Sequence, residues 1–173
     1  MILRRLIAAG CLLSTLAAAQ STAPALKLVA LDGASTVMRL AELQALPQVE
    51  LTDSSPSTGV ARFRGPTVRA VVSLAGAPEG RALRGPSMVI VVLAEASDGY
   101  KVAYRLAELD EQFGARAAIV ALTQDGQPLP TSDGPLRIVV PGETHRARWI
   151  RQLTTLRLLR AGEGAREDSL TRP

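Results

Sequence analysis

One seven-residue stretch, 145–151, holds the chain's single histidine, its single tryptophan and three arginines: His145, Arg146, Arg148, Trp149 and Arg151. Arginine presents a planar fork of donors matched to phosphate, and tryptophan a flat ring on which another ring can stack. The combination predicts a ligand that is both aromatic and anionic, with Arg148 the favoured contact for the anion. Each residue also has a plainer reading: Trp149 as core packing, the arginines as a solvated face, His145 as a surface group. Tyr100 follows the Asp98-Gly99 turn at an expected strand mouth, where site residues concentrate. Simple packing is equally open to it.

What the chain lacks narrows the chemistry further. A lone histidine gives no basis for a histidine metal site or a Ser-His-Asp triad. No Gly-x-Ser-x-Gly, phosphate-loop or His-Glu-x-x-His pattern is present. The carboxylates show no tight pair suited to acid–base work, so spacing alone predicts neither a catalytic residue nor a protein metal ligand. The one cysteine, Cys11, falls within residues 1–19. There Arg4 and Arg5 precede an apolar run over 6–16 and three alanines, the pattern of a cleavable export signal. Lipidation at Cys11 and a retained anchor are the alternatives. Cleavage after Ala19 leaves a mature chain without any thiol, hence without disulfides, thiolate nucleophiles or cysteine metal ligands.

The bulk composition sets outer bounds. A chain of 173 residues is long enough for one well-buried core, and a hydrophobic content of 47% excludes a largely disordered protein. The formal charge is +4; without Arg4 and Arg5 it is 18 basic against 16 acidic residues, or +2. That is too weak to predict a nucleic-acid partner. After signal removal no membrane-spanning segment is expected, and the location expected is the periplasm.

The elements that must position the basic segment are legible around it. Asp125-Gly126 and Asp133-Gly134 are turn dipeptides, and Pro128, Pro130 and Pro135 keep the loop between them from becoming helix. Residues 136–140 form an apolar run suited to a core strand, ended by Pro141-Gly142, and 155–159 read as a final strand. Upstream, strands over 26–31 and 36–40 join at Asp32-Gly33. A short helix over 40–46 stops at Pro47. A strand over 49–52 leads to a loop over 53–59, and an edge strand over 60–64 precedes a helix over 67–75. Residues 88–94 read as a strand buried on both faces. An alternating strand over 101–106, helical turns over 106–113 and a buried strand over 116–122 complete the set. The fold class expected is α+β, mixed and strand-rich. Residues 20–160 form one domain, and 161–173 a disordered tail.

Three passages together carry a family resemblance. They are Asp125-Gly126-Gln127-Pro128-Leu129-Pro130, then residues 134–142 (GPLRIVVPG), then 146–150 (RARWI), with Asp98-Gly99-Tyr100 and Leu106-Ala107-Glu108-Leu109 upstream. Over about residues 26–159 the chain resembles the sulfite-oxidase-type molybdopterin-binding domain. The resemblance implies that architecture, a pterin or molybdopterin cofactor, and oxidoreductase activity. It also implies a molybdenum-ligating cysteine in the loop after the strand at 49–52. This chain has Asp53, Ser54 and Ser55 there, which adds Ser54 and Ser55 to the cofactor-binding candidates Trp149, Arg148, Arg146, His145 and Tyr100. Hydroxyls and carboxylates are harder ligands than thiolate. The expected function is therefore an exported pterin- or molybdopterin-binding protein without redox chemistry, able to report ligand status to a membrane-protein partner. A molybdenum cofactor-dependent oxidoreductase of the sulfite oxidase type is the alternative, and a degenerate fold that binds only protein is a third.

Overall fold

Local turn chemistry builds the first hairpin. Strand β1 (Pro24–Val29) turns at Asp32-Gly33 into β2 (Ser35–Arg39). Gly33 takes φ of +85°, and the Asp32 carboxylate accepts the Ala34 N–H at 2.9 Å. The computed structural model describes residues 24–55, 59–114, 117–143 and 145–162. The expected export signal at 1–19 lies outside them, as do residues 163–173 of the expected tail. Helix α1 (Leu40–Ala45) begins where Glu42 accepts the Arg39 N–H at 2.6 Å. It ends at Leu46, before Pro47.

Strand β3 (Val49–Ser55) runs three residues beyond the expected 49–52, into what the sequence predicts as loop. It pairs antiparallel with β4 (Gly59–Gly65) from Val49↔Gly65 to Ser55↔Gly59. The inward face of β3 carries Val49 and Leu51, partly buried against the core, and then Asp53. Glu50, Thr52 and Ser54 face outward and are exposed. Helix α2 (Val68–Ser73), shorter than the expected 67–75, buries Val68, Val71 and Val72 on one face. Thr67 caps it by accepting the Ala70 N–H at 3.0 Å, and Gly76 stops it at φ +75°.

A 3-10 turn, Gly85–Val89, precedes β5 (Ile90–Ala96), which pairs with β6 (Lys101–Arg105). The prediction of a strand at 88–94 buried on both faces fails here. Met88 and Val89 are exposed, and burial along β5 alternates residue by residue, because this sheet packs the core against one face only. Two 3-10 turns, Leu106–Leu109 and Glu111–Phe113, follow. Strand β7 (Ile119–Ala121) is fully buried, and β8 (Thr123–Gln124) turns at Asp125-Gly126 into β9 (Gln127–Pro128). Strand β10 (Arg137–Val139) pairs with β7, and β11 (Leu153–Arg160) ends the described fold.

Among the described residues the strands form three sheets, in the orders β2-β1-β11-β5-β6, β3-β4-β8-β9 and β10-β7. Strand β11 lies parallel to β1 and antiparallel to β5, so the two ends of the domain zip one sheet together. Strand β4 is internal, between β3 and β8, and not the edge strand expected from its alternation. The Asp125 turn folds back on it, with the Arg62 N–H donating to Asp125 Oδ1 at 2.9 Å and the Asp125 N–H to the Arg62 carbonyl at 2.8 Å. That pairing spans 63 residues of sequence, which local pattern cannot reveal. The architecture is the expected strand-rich α+β domain.

The sheets meet where β4 passes β7. The Val120 N–H donates to the Pro66 carbonyl and the Leu122 N–H to the Arg64 carbonyl, both at 2.8 Å. So close an approach leaves no room for a side chain at Gly65, where a Cβ would lie 1.8 Å from the Val120 carbonyl oxygen. Forcing a methyl group there must push two backbones apart. Gly65→Ala is expected to destabilise the domain by about 3 kcal/mol or more, read as a lowered midpoint in urea unfolding. Wild-type stability in that variant would contradict the packing described.

Candidate functional site

The segment 145–151 is held by its neighbours and does not fold on its own propensity. It makes a single 3-10 turn, Arg146–Arg148, with the Trp149 N–H donating to the Arg146 carbonyl at 2.9 Å. Three residues per turn place positions i and i+3 on one side and i+2 elsewhere. Arg146 accordingly stacks over Trp149, its Cζ 4.8 Å from the ring centroid, while Arg148 turns away over Tyr104 at 4.7 Å. Both tyrosines of the chain clamp the turn. Tyr100 donates its hydroxyl to the Ala147 carbonyl at 2.7 Å, and Tyr104 donates to the carbonyl of Arg148.

Trp149 is only 5% exposed. Its indole N–H donates to the Val140 carbonyl at 2.8 Å, and Phe63 meets it edge-on with centroids 5.8 Å apart. Beside both rings lies Arg137, with its Cζ 5.3 Å from the Phe63 centroid and 5.5 Å from that of Trp149. Arg137 stands in the middle of the buried strand β10 and is 9% exposed. Burial lowers its pKa and the paired Asp133 raises it, though a guanidinium remains charged at any physiological pH. Its Nε has no hydrogen-bond partner among the described residues.

Above these rings opens a cleft of about 570 Å³, lined by Asp53 from β3, by Tyr100, and by Arg137, Arg146 and Arg151 among others. Asp53 is ion-paired with Arg146. Asp133 pairs with Arg137 and also faces Arg151 at 3.7 Å. The cleft thus gathers three guanidinium groups, each already facing a carboxylate.

The residues singled out by sequence divide. Arg146, Trp149 and Tyr100 line this cleft. Trp149 presents no open face, since Phe63 and two guanidinium groups surround it. Tyr100, at 49% exposure, is the accessible ring. Arg148 belongs to a different, smaller cavity of about 320 Å³ with Tyr104, where Glu108 and Glu143 pair with it. His145 is exposed beside the turn. Ser54 faces outward on β3, opposite in sense to Asp53. Ser55 ends β3, and its side chain lies outside the described part of the structure. Sequence reasoning left out Arg137, Asp53 and Asp133 as site residues. Arg137 had a signal: a charge inside the run Leu136-Arg137-Ile138-Val139-Val140 must be paired, because an unpaired buried charge is costly. Asp53 had a weaker one, as the third inward position of an alternating strand.

The model for the family described as oxidoreductase molybdopterin binding domain matches residues 25–163. The chain belongs to that family. Among solved structures, it is similar to the sulfane dehydrogenase SoxCD from Paracoccus pantotrophus, with a TM-score of 0.60 and 14% identity. The likeness covers 79% of this chain and 38% of that one, and at this identity it speaks for the fold. No curated protein matches the sequence. As a member of the molybdopterin-binding domain family, the chain has the sulfite-oxidase-type fold that the resemblance implied.

The residues present suit one part of that family's cofactor and not the other. The unpartnered Arg137 Nε–H and the three guanidinium groups suit an anionic ligand, and a cleft of this size suits a small heterocycle. A protein-held molybdenum is not suited. No cysteine occurs in residues 24–162, Asp53 is engaged by Arg146, and the described residues hold no cluster of three metal-ligating side chains.

The clamp on the basic turn has a pH signature. Burial raises the pKa of Tyr104 well above its ordinary 10.0, and this outweighs the opposing charge of Arg148. A raised folded-state value contributes stability that is complete below the unfolded pKa and is lost as pH rises past it. Wild-type stability should fall as pH climbs above about 10. Tyr104→Phe should be less stable at neutral pH by about 1 kcal/mol, from the lost hydrogen bond, and should show a smaller alkaline decline. Urea unfolding of both proteins between pH 8 and pH 11 checks this. Equal alkaline slopes would contradict a buried, protonated Tyr104.

Proposed function

We propose that the protein is an exported pterin- or molybdopterin-binding protein that performs no redox chemistry. One observation carries the reading: the cleft keeps guanidinium groups for an anion, while Asp53, ion-paired to Arg146, stands within β3 in the stretch where the family resemblance implies a metal-ligating thiolate. A planar ligand with a phosphate would lie against Tyr100 and turn its anion toward Arg151, Arg146 and Arg137. Export rests on the charged, apolar and small-residue order of residues 1–19. No helix among the described residues is long and apolar enough to cross a membrane. A membrane-protein partner that senses the occupied cleft completes the proposal.

The test separates binding from catalysis. Protein purified from an exporting host should carry or take up a pterin, seen by native mass spectrometry, without stoichiometric molybdenum by elemental analysis. Stoichiometric molybdenum with turnover of an oxyanion or sulfoxide substrate would favour the oxidoreductase alternative. Trp149, the chain's only tryptophan, gives a built-in fluorescence reporter beside the cleft. Arg151 has the most exposed of the three cleft guanidinium groups. Arg151→Ala should weaken a pterin monophosphate by about tenfold, since a charge-assisted hydrogen bond contributes roughly 1.5–3 kcal/mol. Bare pterin should be nearly unaffected. Equal losses for both ligands would mean that Arg151 does not meet the phosphate.

A further inference from the structure

Asp53 is a carboxylate at an inward position of a strand. Val49 and Leu51 precede it on the same face and pack against the core, and its cross-strand neighbour is the small Ala61. The side chain is 13% exposed, against 35% for Arg146, with which it pairs from 93 residues away. An ion pair so placed neutralises both groups when nothing else is in the cleft. Once a ligand's anion approaches Arg146, however, the same carboxylate competes for that guanidinium and repels the anion at short range.

We infer that Asp53 is an internal stand-in for the ligand's anion: it holds Arg146 in the empty cleft and must give it up, or share it, when an oxyanion binds. The inference rests on the reading of the cleft as an anion-binding ligand site, and adds to it what sets the site's affinity. A ligand-holding role for Asp53 makes the opposite prediction. If the carboxylate gripped the ligand or a metal, removing its charge would weaken binding. As a competitor, its neutralisation strengthens binding. Arg146 is part-exposed and stays hydrated without its partner, so the substitution leaves no buried, unpaired charge.

The experiment compares wild type, Asp53→Asn and Glu50→Gln by titration with a pterin monophosphate, the bare pterin and inorganic phosphate, following Trp149 fluorescence. Glu50 lies on the same strand, on its outward face, and is exposed; its substitution makes the same change in net charge away from the cleft. Asp53→Asn should bind the phosphorylated pterin about tenfold more tightly than wild type, an effect that corresponds to 1.4 kcal/mol of relieved competition. The gain should shrink at high salt, and bare pterin and Glu50→Gln should show no comparable change. Asp53→Ser, which also removes the charge, serves should the asparagine variant not fold. Wild-type binding with unchanged or weakened affinity in the folded Asp53 variants overturns the stand-in role and leaves the ligand site standing. Absence of binding in wild type and in both Asp53 variants overturns the ligand site itself, and the stand-in with it.

Discussion

A guanidinium group in the middle of a buried strand imposes conditions on everything near it. Arg137 replaces what would otherwise be an aliphatic residue of β10, whose neighbours Leu136 and Ile138 are completely buried. A charge there is tolerated only with a counter-charge and with polarizable or polar surfaces around it. Asp133 supplies the first, four residues earlier in the Asp133-Gly134-Pro135 turn. Phe63 and Trp149 supply the second, one from β4 and one from the basic turn. The arrangement therefore ties together the sheet of β4, the sheet of β10 and the segment that carries Arg146 and Arg151. The Arg137 Nε–H, left without a partner, is the part of this arrangement that the protein does not itself complete.

That constraint accounts for what Trp149 does. The indole is a structural platform, anchored by its N–H to Val140, that supports two guanidinium groups instead of stacking on a ligand. The tyrosines perform a related task, Tyr104 from β6 and Tyr100 from the turn before it, binding the carbonyls of Arg148 and Ala147 and fixing where the basic turn presents its side chains. Preorganisation of this kind would lower the ordering cost of the proposed binding, because the arginines are already positioned. The ion pair between Asp53 and Arg146 belongs to the same economy of charge: the cleft is close to neutral by itself, even though it is rich in arginine.

Much of the fold was legible from residue order, for local reasons. The Asp32-Gly33 hairpin, the valine face of α2 and the buried runs at β7 and β10 each follow from turn chemistry or periodicity within a few residues. The placement of β4 inside its sheet was not, because it depends on a pairing with the distant Asp125 turn. The site divided in the same way. The Arg-Ala-Arg-Trp run marked a segment that lines the cleft, but only the 3-10 geometry reveals that Arg146 and Arg148 line different cavities. Asp53 and Arg146 meet through tertiary packing alone, so no spacing rule could join them. Arg137 could have been found, as a charge in an apolar strand.

The central claim is that the cleft arginines, Arg137 foremost, receive a ligand's anion without a metal. The arginine Nε–H signals of the isotope-labelled, metal-free protein, recorded as a pterin monophosphate is added, test it most directly. The account predicts that the Arg137, Arg146 and Arg151 signals move with the titration, while those of Arg69 and Arg157, which lie outside the cleft, stay in place. Saturable binding with the Arg137 signal unmoved would contradict the account.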